Sequence, residues 1–201
     1  LWDPYGDMHM GNCAEVLAKE EIYSREEQDS FAVESYRRSV DAIEKGYFND
    51  EITPVEIPQR KGDPVIVDTD EEPGRGKPEK IANLRTAFEK DGTITAANAS
   101  SINDGAAALV VISAEKAAEL NSDPICKIVA QTSVAHEPLY FTTAPGKAIT
   151  KVLDKAGLTI NDIDLFEINE AFSNVTLAAM REFDIPHEKV NIFGGAVSMG
   201  H

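Results

Sequence analysis

Apolar positions in the first quarter of the chain recur at helical intervals. Residues 10–45 read as helical, and Ala32, Tyr36, Val40 and Ile43 follow one another at spacings of four, four and three, which predicts one core-facing helix face. Ser24-Arg25-Glu26-Glu27 has the form of a capping box: Ser24 accepts from a free backbone N–H while Glu27 reaches back. Gly46 is placed to stop the helix. Residues 50–80 change texture. Ile52, Val55 and Ile57, then Val65-Ile66-Val67, predict short strands in a polar stretch. From about residue 92, strand and helix patterns alternate. Leu109–Ile112 and Cys126–Ala130 read as buried strands, separated by a helix capped by Ser113 with Glu115 in its first turn. Pro145 opens a helix whose face is Ala148, Ile149, Val152, Leu153 and Ala156, with Gly157 as its stop. Leu165–Ile168 predicts a strand, Ala171–Phe183 a helix and Val190–Ile192 a last strand. This alternation argues for an α/β fold, a sheet covered by helices, with a domain boundary near residue 90. No repeat of fixed period is visible.

Composition narrows the class. The chain has 201 residues, 42% of them hydrophobic, and its longest apolar stretch, Ala106 to Ile112, is far short of the ~20 residues of a membrane span. A formal charge of −16 argues against nucleic acid and against anionic membranes as partners, because both require clustered Lys and Arg. Two cysteines, Cys13 and Cys126, are too few for a disulfide framework, so a reducing, intracellular setting is expected. Leu1-Trp2-Asp3 does not read as a native beginning, so no weight falls on the lack of a leader.

Several small motifs are candidates for chemistry. Asn169-Glu170-Ala171-Phe172 follows a predicted strand and opens a helix, where open α/β sheets place ligands. Asn169 is either a helix cap or an amide that holds a water or carbonyl oxygen. The run from Asn191 to His201 pairs Gly194 and Gly195 after a strand and then delivers one imidazole on a small-residue turn. His201 suits a base at neutral pH, although a lone histidine is more often structural. Ala96-Ala97-Asn98-Ala99-Ser100 leaves its backbone and the Ser100 hydroxyl open to a narrow ligand arm, or is a packed junction. Asp7-Met8-His9-Met10-Gly11 sets a histidine beside flexible methionines that suit an apolar wall. The acidic run 68–72 predicts a solvated loop. Arg75 and Lys77 on the Gly/Pro loop after it are either plain solvated charges or cations that can meet a phosphorylated ligand. The four histidines and two cysteines show no metal-ligand spacing.

Taken together, Asn98-Ala99-Ser100 with Asn103-Asp104-Gly105, then Asn169-Glu170-Ala171-Phe172, then Gly194-Gly195-Ala196 and Gly200-His201 resemble the thiolases, and within them the acetyl-CoA acetyltransferases. The resemblance runs from Leu1 to His201 with the motifs in family order. It implies a partial thiolase-like α/β fold: residues 1–91 most of a mostly helical loop domain, residues 92–201 the first part of the C-terminal half. It implies a Claisen condensation of two acetyl-CoA through an acyl-cysteine, and the reverse thiolysis, with coenzyme A as substrate and product and no required cofactor. By the same resemblance His201 activates the nucleophile and lines an oxyanion hole, and Asn169 fixes a water in it. Ser100 contacts the pantetheine arm, Arg75 lies near the coenzyme A nucleotide, and His9, Met10, Phe88, Phe141 and Phe172 lie near the thioester and pantetheine. Phe141 and the Ala96-Ala97-Asn98 variant resemble the mitochondrial-type subgroup, in which Tyr36, Ala96, Ala97 and Ala99 match a potassium site. The family assembles as homo-oligomers, usually tetramers, in the cytoplasm or mitochondrial matrix.

The departures are as informative. The resemblance places the family nucleophile upstream of Leu1 and a second catalytic cysteine, in a Cys-x-Gly turn, downstream of His201. Neither Cys13 nor Cys126 matches either role, and Cys126 is expected to be a buried small hydrophobe. The expectation is therefore a fragment of a catalytic thiolase, inactive and poorly stable alone. The alternative from another class is a non-catalytic acyl-CoA or lipid-binding relative.

Overall fold

A computed structural model describes residues 1–201. The chain begins with a minimal antiparallel pair, β1 (Trp2–Asp3) and β2 (Met8–His9), which leads directly into α1 (Met10–Glu20). His9 caps this helix, its Nδ1 accepting from the Gly11 N–H at 3.1 Å. The second helix, α2 (Arg25–Glu44), starts as the sequence predicts, with the Ser24 hydroxyl accepting from the Glu27 N–H at 3.1 Å. The reciprocal half of the box is not made. The Glu27 carboxylate pairs instead with Arg181 at 3.0 Å, and a full opposite charge outcompetes a neutral backbone donor. Gly46 ends the helix in the left-handed region, φ +67°, with Gly46 N–H to Ile43 O and Tyr47 N–H to Ala42 O forming a Schellman stop.

The buried face of α2 lies one residue round from the predicted one. Gln28, Phe31, Ala32, Ser35, Ser39 and Ala42 are buried, whereas Tyr36, Val40 and Ile43 sit half-buried on its flank. Apolar periodicity points to the wrong stripe because the surface α2 packs on is polar, and small hydroxyl residues face it.

β3 (Val55–Ile57) and β4 (Val65–Val67) form an antiparallel hairpin at the predicted positions, without Ile52. Part of the acidic run is helical, contrary to the predicted loop. Glu71 and Glu72 open α3 (Glu71–Arg75), where carboxylates favour the helix N-terminus and pair with Arg75 one turn on. A 3₁₀ turn follows at Pro78–Asn83.

The largest correction concerns the strands. Leu109–Ile112 is neither buried nor in a sheet, with Leu109 87% and Val110 92% exposed. Cys126–Ala130 is likewise unpaired, and Cys126 is exposed. A strand is made by its neighbours, and no segment of residues 1–201 offers N–H and C=O groups along the edges of these two runs. Leu165–Ile168 and Val190–Ile192 do meet, as one parallel bridge between Phe166 and Val190. The helices around them follow the sequence. Ser113 caps α4 (Ala114–Glu119), its hydroxyl accepting from Lys116 N–H at 3.2 Å. A 3₁₀ turn at Pro138–Thr143 leads into α5 (Ala144–Ala156), which has its predicted face half-buried and ends on Gly157 at φ +69°.

The hub is α6 (Ser173–Phe183), which packs against α1, α2 and α5. Leu17, Ala18 and Tyr23 close on Ala178, and Ile168, Ile185 and Val190 close on Ala179. The chain finishes with α7 (Ala196–Met199), which lies against α2 and α3.

Arg38 ties α2 to the parallel bridge. It is largely buried, pairs with Glu34 at 2.7 Å and donates to the carbonyls of His187, Val190 and Asn191. Hydrogen bonds from Arg37, then Arg38, hold the Glu34 carboxyl at about 2, well below the ordinary carboxylate range. A carboxyl depressed on folding adds stability above its unfolded pKa, near 4.5, and loses it as pH falls toward 2. Glu34→Gln is therefore expected to lower the melting temperature at pH 6, with the gap closing progressively between pH 4.5 and 2. A constant gap across that range would assign the effect to packing instead.

Candidate functional site

The geometry of the site is set by three short segments: 98–103, 168–173 and 191–201. The first two are laced together. Ser173 N–H donates to Asn98 O at 2.9 Å, Ala99 bridges Phe172, and both the N–H and the hydroxyl of Ser100 donate to Ala171 O at 3.1 and 3.0 Å. The third is pinned to the first at its end, with His201 N–H donating to Ser101 O at 2.8 Å. Gly200, at φ +94°, makes this contact possible because a Cβ there would overlap the Asn103 side chain.

These ties bring Asn169 and His201 together across 32 residues of sequence, with Asn169 Nδ2 3.3 Å from His201 Nε2. An amide nitrogen has only protons to offer, so Asn169 donates and His201 Nε2 accepts. Both side chains are exposed, and Asn169 lines a cleft of about 420 Å³ with Asn191, Gly194, Gly195, Met199 and Gly200.

Three residues on from Asn169, Phe172 belongs to an aromatic wall. His9 stacks on Phe88 with ring centroids 4.8 Å apart, Phe88 meets Phe172 edge-on at 6.1 Å, and Phe172 meets Phe141 at 6.4 Å. Gly11 permits the first contact, since a Cβ there would overlap the Phe88 ring. Met10 and Phe141 line an adjoining cavity of about 250 Å³ with Trp2 and Cys13. Five sequence-predicted residues, His9, Met10, Phe88, Phe141 and Phe172, thus share one apolar surface, and Ser100 lies next to it through Ala99 and Ala171. Arg75 is not joined to them. It is exposed and held by Glu71 at 3.1 Å and Glu72 at 3.5 Å, on a helix packed against α7.

The residues matched to a potassium site are divided. Ala97 and Ala99 are buried and Ala96 is exposed, while the Tyr36 ring closes on Gly76. Desolvation, then the charge of Glu72, raises the Tyr36 phenol pKa. A neutral phenol oxygen and backbone carbonyls are hard donors, which suits the chemistry of a monovalent cation.

Sequence reasoning missed the polar residues that support the site. Glu170 is buried, and its carboxylate accepts from Ser35 Oγ at 2.7 Å, Asn191 Nδ2 at 2.8 Å and Val197 N–H at 3.1 Å. Glu15, buried in α1, accepts from Thr93 N–H, Thr93 Oγ1 and Ile94 N–H. Asp29, buried in α2, accepts from Asn98 Nδ2 at 2.8 Å and from Arg25 at 2.6 Å. The signal was a polar stripe at helical spacing, Gln28, Ser35 and Ser39 among small residues.

The comparisons agree on the class. The thiolase N-terminal domain model matches residues 1–115 and the thiolase C-terminal domain model matches residues 122–201. The chain belongs to the thiolase family. It is 52% identical over its whole length to an acetyl-CoA acetyltransferase of Yarrowia lipolytica, of which it covers 50%. All of it superposes on an acetyl-CoA acetyltransferase of Bacillus anthracis, with a TM-score of 0.96 at 42% identity and 51% of that chain covered. A thiolase of Ascaris suum in complex with coenzyme A gives 0.91 at 44% identity, again with 51% covered. The chain spans about half the length of the curated relatives it matches. Its fold is thus a partial thiolase fold of mixed helix and sheet.

Neither cysteine is built as a nucleophile. Cys13 is fully buried, and desolvation, followed by the charge of Asp3, pushes its thiol pKa up, which disfavours the reactive thiolate. Cys126 is free and exposed. Iodoacetamide is expected to label Cys126 in the native protein and Cys13 only after denaturation, read by peptide mass spectrometry. Rapid native labelling of Cys13 would contradict the packing of α1.

Proposed function

We propose that the protein carrying this chain is an acetyl-CoA C-acetyltransferase, joining two acetyl-CoA into acetoacetyl-CoA and coenzyme A and catalysing the reverse thiolysis through an acyl-cysteine. The single observation that carries this reading is the Asn169–His201 pair, with Asn169 Nδ2 3.3 Å from His201 Nε2 and Phe172 of the aromatic wall three residues on from Asn169. The relatives named above supply the reaction and the ligand.

In this reading His201 Nε2 takes the proton of a cysteine thiol supplied by another part of the protein, and the thiolate attacks the acetyl thioester carbonyl. The carbonyl oxygen gains charge as the tetrahedral adduct forms, and the amide of Asn169, through a held water, and the imidazole meet that charge. The thiolate of coenzyme A leaves as the tetrahedral adduct collapses and takes the proton that His201 had accepted. A base supplied by another part of the protein removes an α-proton from a second acetyl-CoA, whose carbanion displaces the cysteine thiolate from the acyl carbon, giving acetoacetyl-CoA, and the released thiolate takes up that proton. Ser100 and the His9–Phe88–Phe172–Phe141 wall hold the arm in line, and Arg75 faces the nucleotide end.

Three finer points belong to the same proposal: an intracellular enzyme, active as a homo-oligomer, with potassium held by Tyr36 and the carbonyls of Ala96, Ala97 and Ala99. The neutral Tyr36 phenol supports the last of these. Replacing sodium by potassium in the assay is expected to raise turnover in the wild type and not in Tyr36→Phe. Equal rates in the two salts would remove the cation from the reading. Light scattering of the full-length protein tests the assembly.

In the full-length protein, His201→Ala is expected to lower acetoacetyl-CoA thiolysis by roughly 10²–10⁴, as for a lost general base. Asn169→Ala is expected to cost about 10²–10³, as for a lost oxyanion donor. Wild-type protein that binds coenzyme A without turnover would favour the non-catalytic acyl-CoA-binding relative. Unchanged turnover in His201→Ala would reject the assignment of the base.

A further inference from the structure

Glu170 is the most enclosed titratable group near the site, and the proposed reaction does not use it. Its carboxylate lies under the site, facing away from the cleft mouth, and joins four separate pieces of chain. It extends from the turn that presents Asn169. Oε1 accepts from Asn191, whose amide also bonds both the N–H and the C=O of Ile168 at 2.8 Å. Oε2 accepts from Ser35 of α2 and from the N–H of Val197, four residues before His201.

A hydroxyl relay extends the clasp. Ser35 Oγ accepts from Gly195 N–H at 3.1 Å, and Ser198 Oγ lies 3.1 Å from Ser35 Oγ and 2.7 Å from Ser39 Oγ. Gly195 is required where it stands, since a Cβ there would overlap the Glu170 carboxylate, and Gly194, at φ +83°, presses on Ser35 and Ser39 in the same way. Asn169 and His201 are therefore both carried by segments that one carboxylate holds.

We propose that Glu170 is a positioning residue that sets the separation and orientation of Asn169 and His201 by clamping the 168–170 turn, the 195–198 turn and α2 to one buried carboxylate. Three donors converge on an acceptor that has no proton to give. Desolvation raises the pKa of the group, and the hydrogen bonds from Asn191, Ser35 and Val197, which the ionised form receives, oppose it. A glutamine cannot replace it. Its amide N–H₂ would meet either Asn191 Nδ2 or Val197 N–H, donor against donor. Whichever turn loses its bond is released, and Asn169 and His201 separate.

The inference rests on the proposed function for its meaning, but its test does not require turnover. In the full-length protein, Glu170→Gln is expected to lower kcat about 10- to 100-fold, the scale of a reacting group displaced by about 1 Å, with KM for coenzyme A within about threefold. Histidine-selective ¹⁵N NMR provides the second readout, with the His201 signal identified by its loss in His201→Ala. The wild type is expected to show a proton on Nδ1 and an Nε2 that accepts from Asn169, and Glu170→Gln is expected to lose that preference. Ser35→Ala removes one donor without placing a new proton against the clasp. It is expected to move both readouts in the same direction, with kcat down about threefold to tenfold, as for one hydrogen bond, and it decides the question if Glu170→Gln does not fold. Wild-type kcat in folded Glu170→Gln, or a fall in kcat with the His201 tautomer unmoved, overturns the inference. If the wild type shows no thiolysis, the function reading fails by itself and the tautomer comparison still decides the role of Glu170.

Discussion

A carboxylate taken out of water must be given donors, and three buried carboxylates fasten the helices at the start of this chain to the loops that follow. Glu15 of α1 receives Thr93 and Ile94, Asp29 of α2 receives Asn98, and Glu170 receives Ser35 of α2. Those contacts span 79, 69 and 135 residues of sequence. The apolar clusters between them are small, five buried residues at most, and each fully buried aliphatic side chain contributes only about 1.5–3 kcal/mol. An unpaired buried charge costs about 3–5 kcal/mol. The loss of any one clasp is therefore comparable to the loss of a core side chain. The exposed pairs such as Lys116–Glu119 are worth about 0–1 kcal/mol each and decide nothing of the architecture.

That balance explains what the sequence discloses and what it hides. Caps and stops depend on a few adjacent residues, so Ser24, Gly46, Ser113 and Gly157 were legible one by one. The face of α5 was legible because it meets apolar neighbours. The face of α2 was not, because its partners are Glu170, Gly194 and Ser198, and a hydrophobic pattern has no entry for a hydroxyl that is needed in the interior. The runs 109–112 and 126–130 have the apolar, β-branched composition of strands, but composition supplies no partner, and in residues 1–201 they remain exposed.

The site was legible in a different sense. Its residues stood out because small, glycine-rich runs around Asn169 and His201 are costly to keep without a reason in the backbone. The structure supplies that reason: Gly194, Gly195, Gly200 and Gly11 each mark a place where a Cβ would overlap a functional or supporting side chain. What sequence could not show is the division of labour between neighbours. Asn169 points outward and is exposed, while Glu170, the next residue, points inward and is 1% exposed, as alternation in an extended segment requires. One residue of the motif faces the cleft, and the next is bonded in the interior to Asn191, Ser35 and Val197.

The overall charge raises a question that the local structure answers. A chain at −16 repels a polyphosphate at a distance, so on the proposed reading a nucleotide end would be met by short-range cations and not by steering. Arg75 would be such a cation, and it is exposed and held between Glu71 and Glu72. Exposed pairs of this kind are worth at most about 1 kcal/mol, whereas an arginine–phosphate contact is charge-assisted and bidentate. An arginine–carboxylate contact is charge-assisted as well, so on the proposed reading a phosphate would compete with Glu71 and Glu72 for Arg75 and would not find it free. Because α3 packs on α7, the cation is kept near the turn that carries His201.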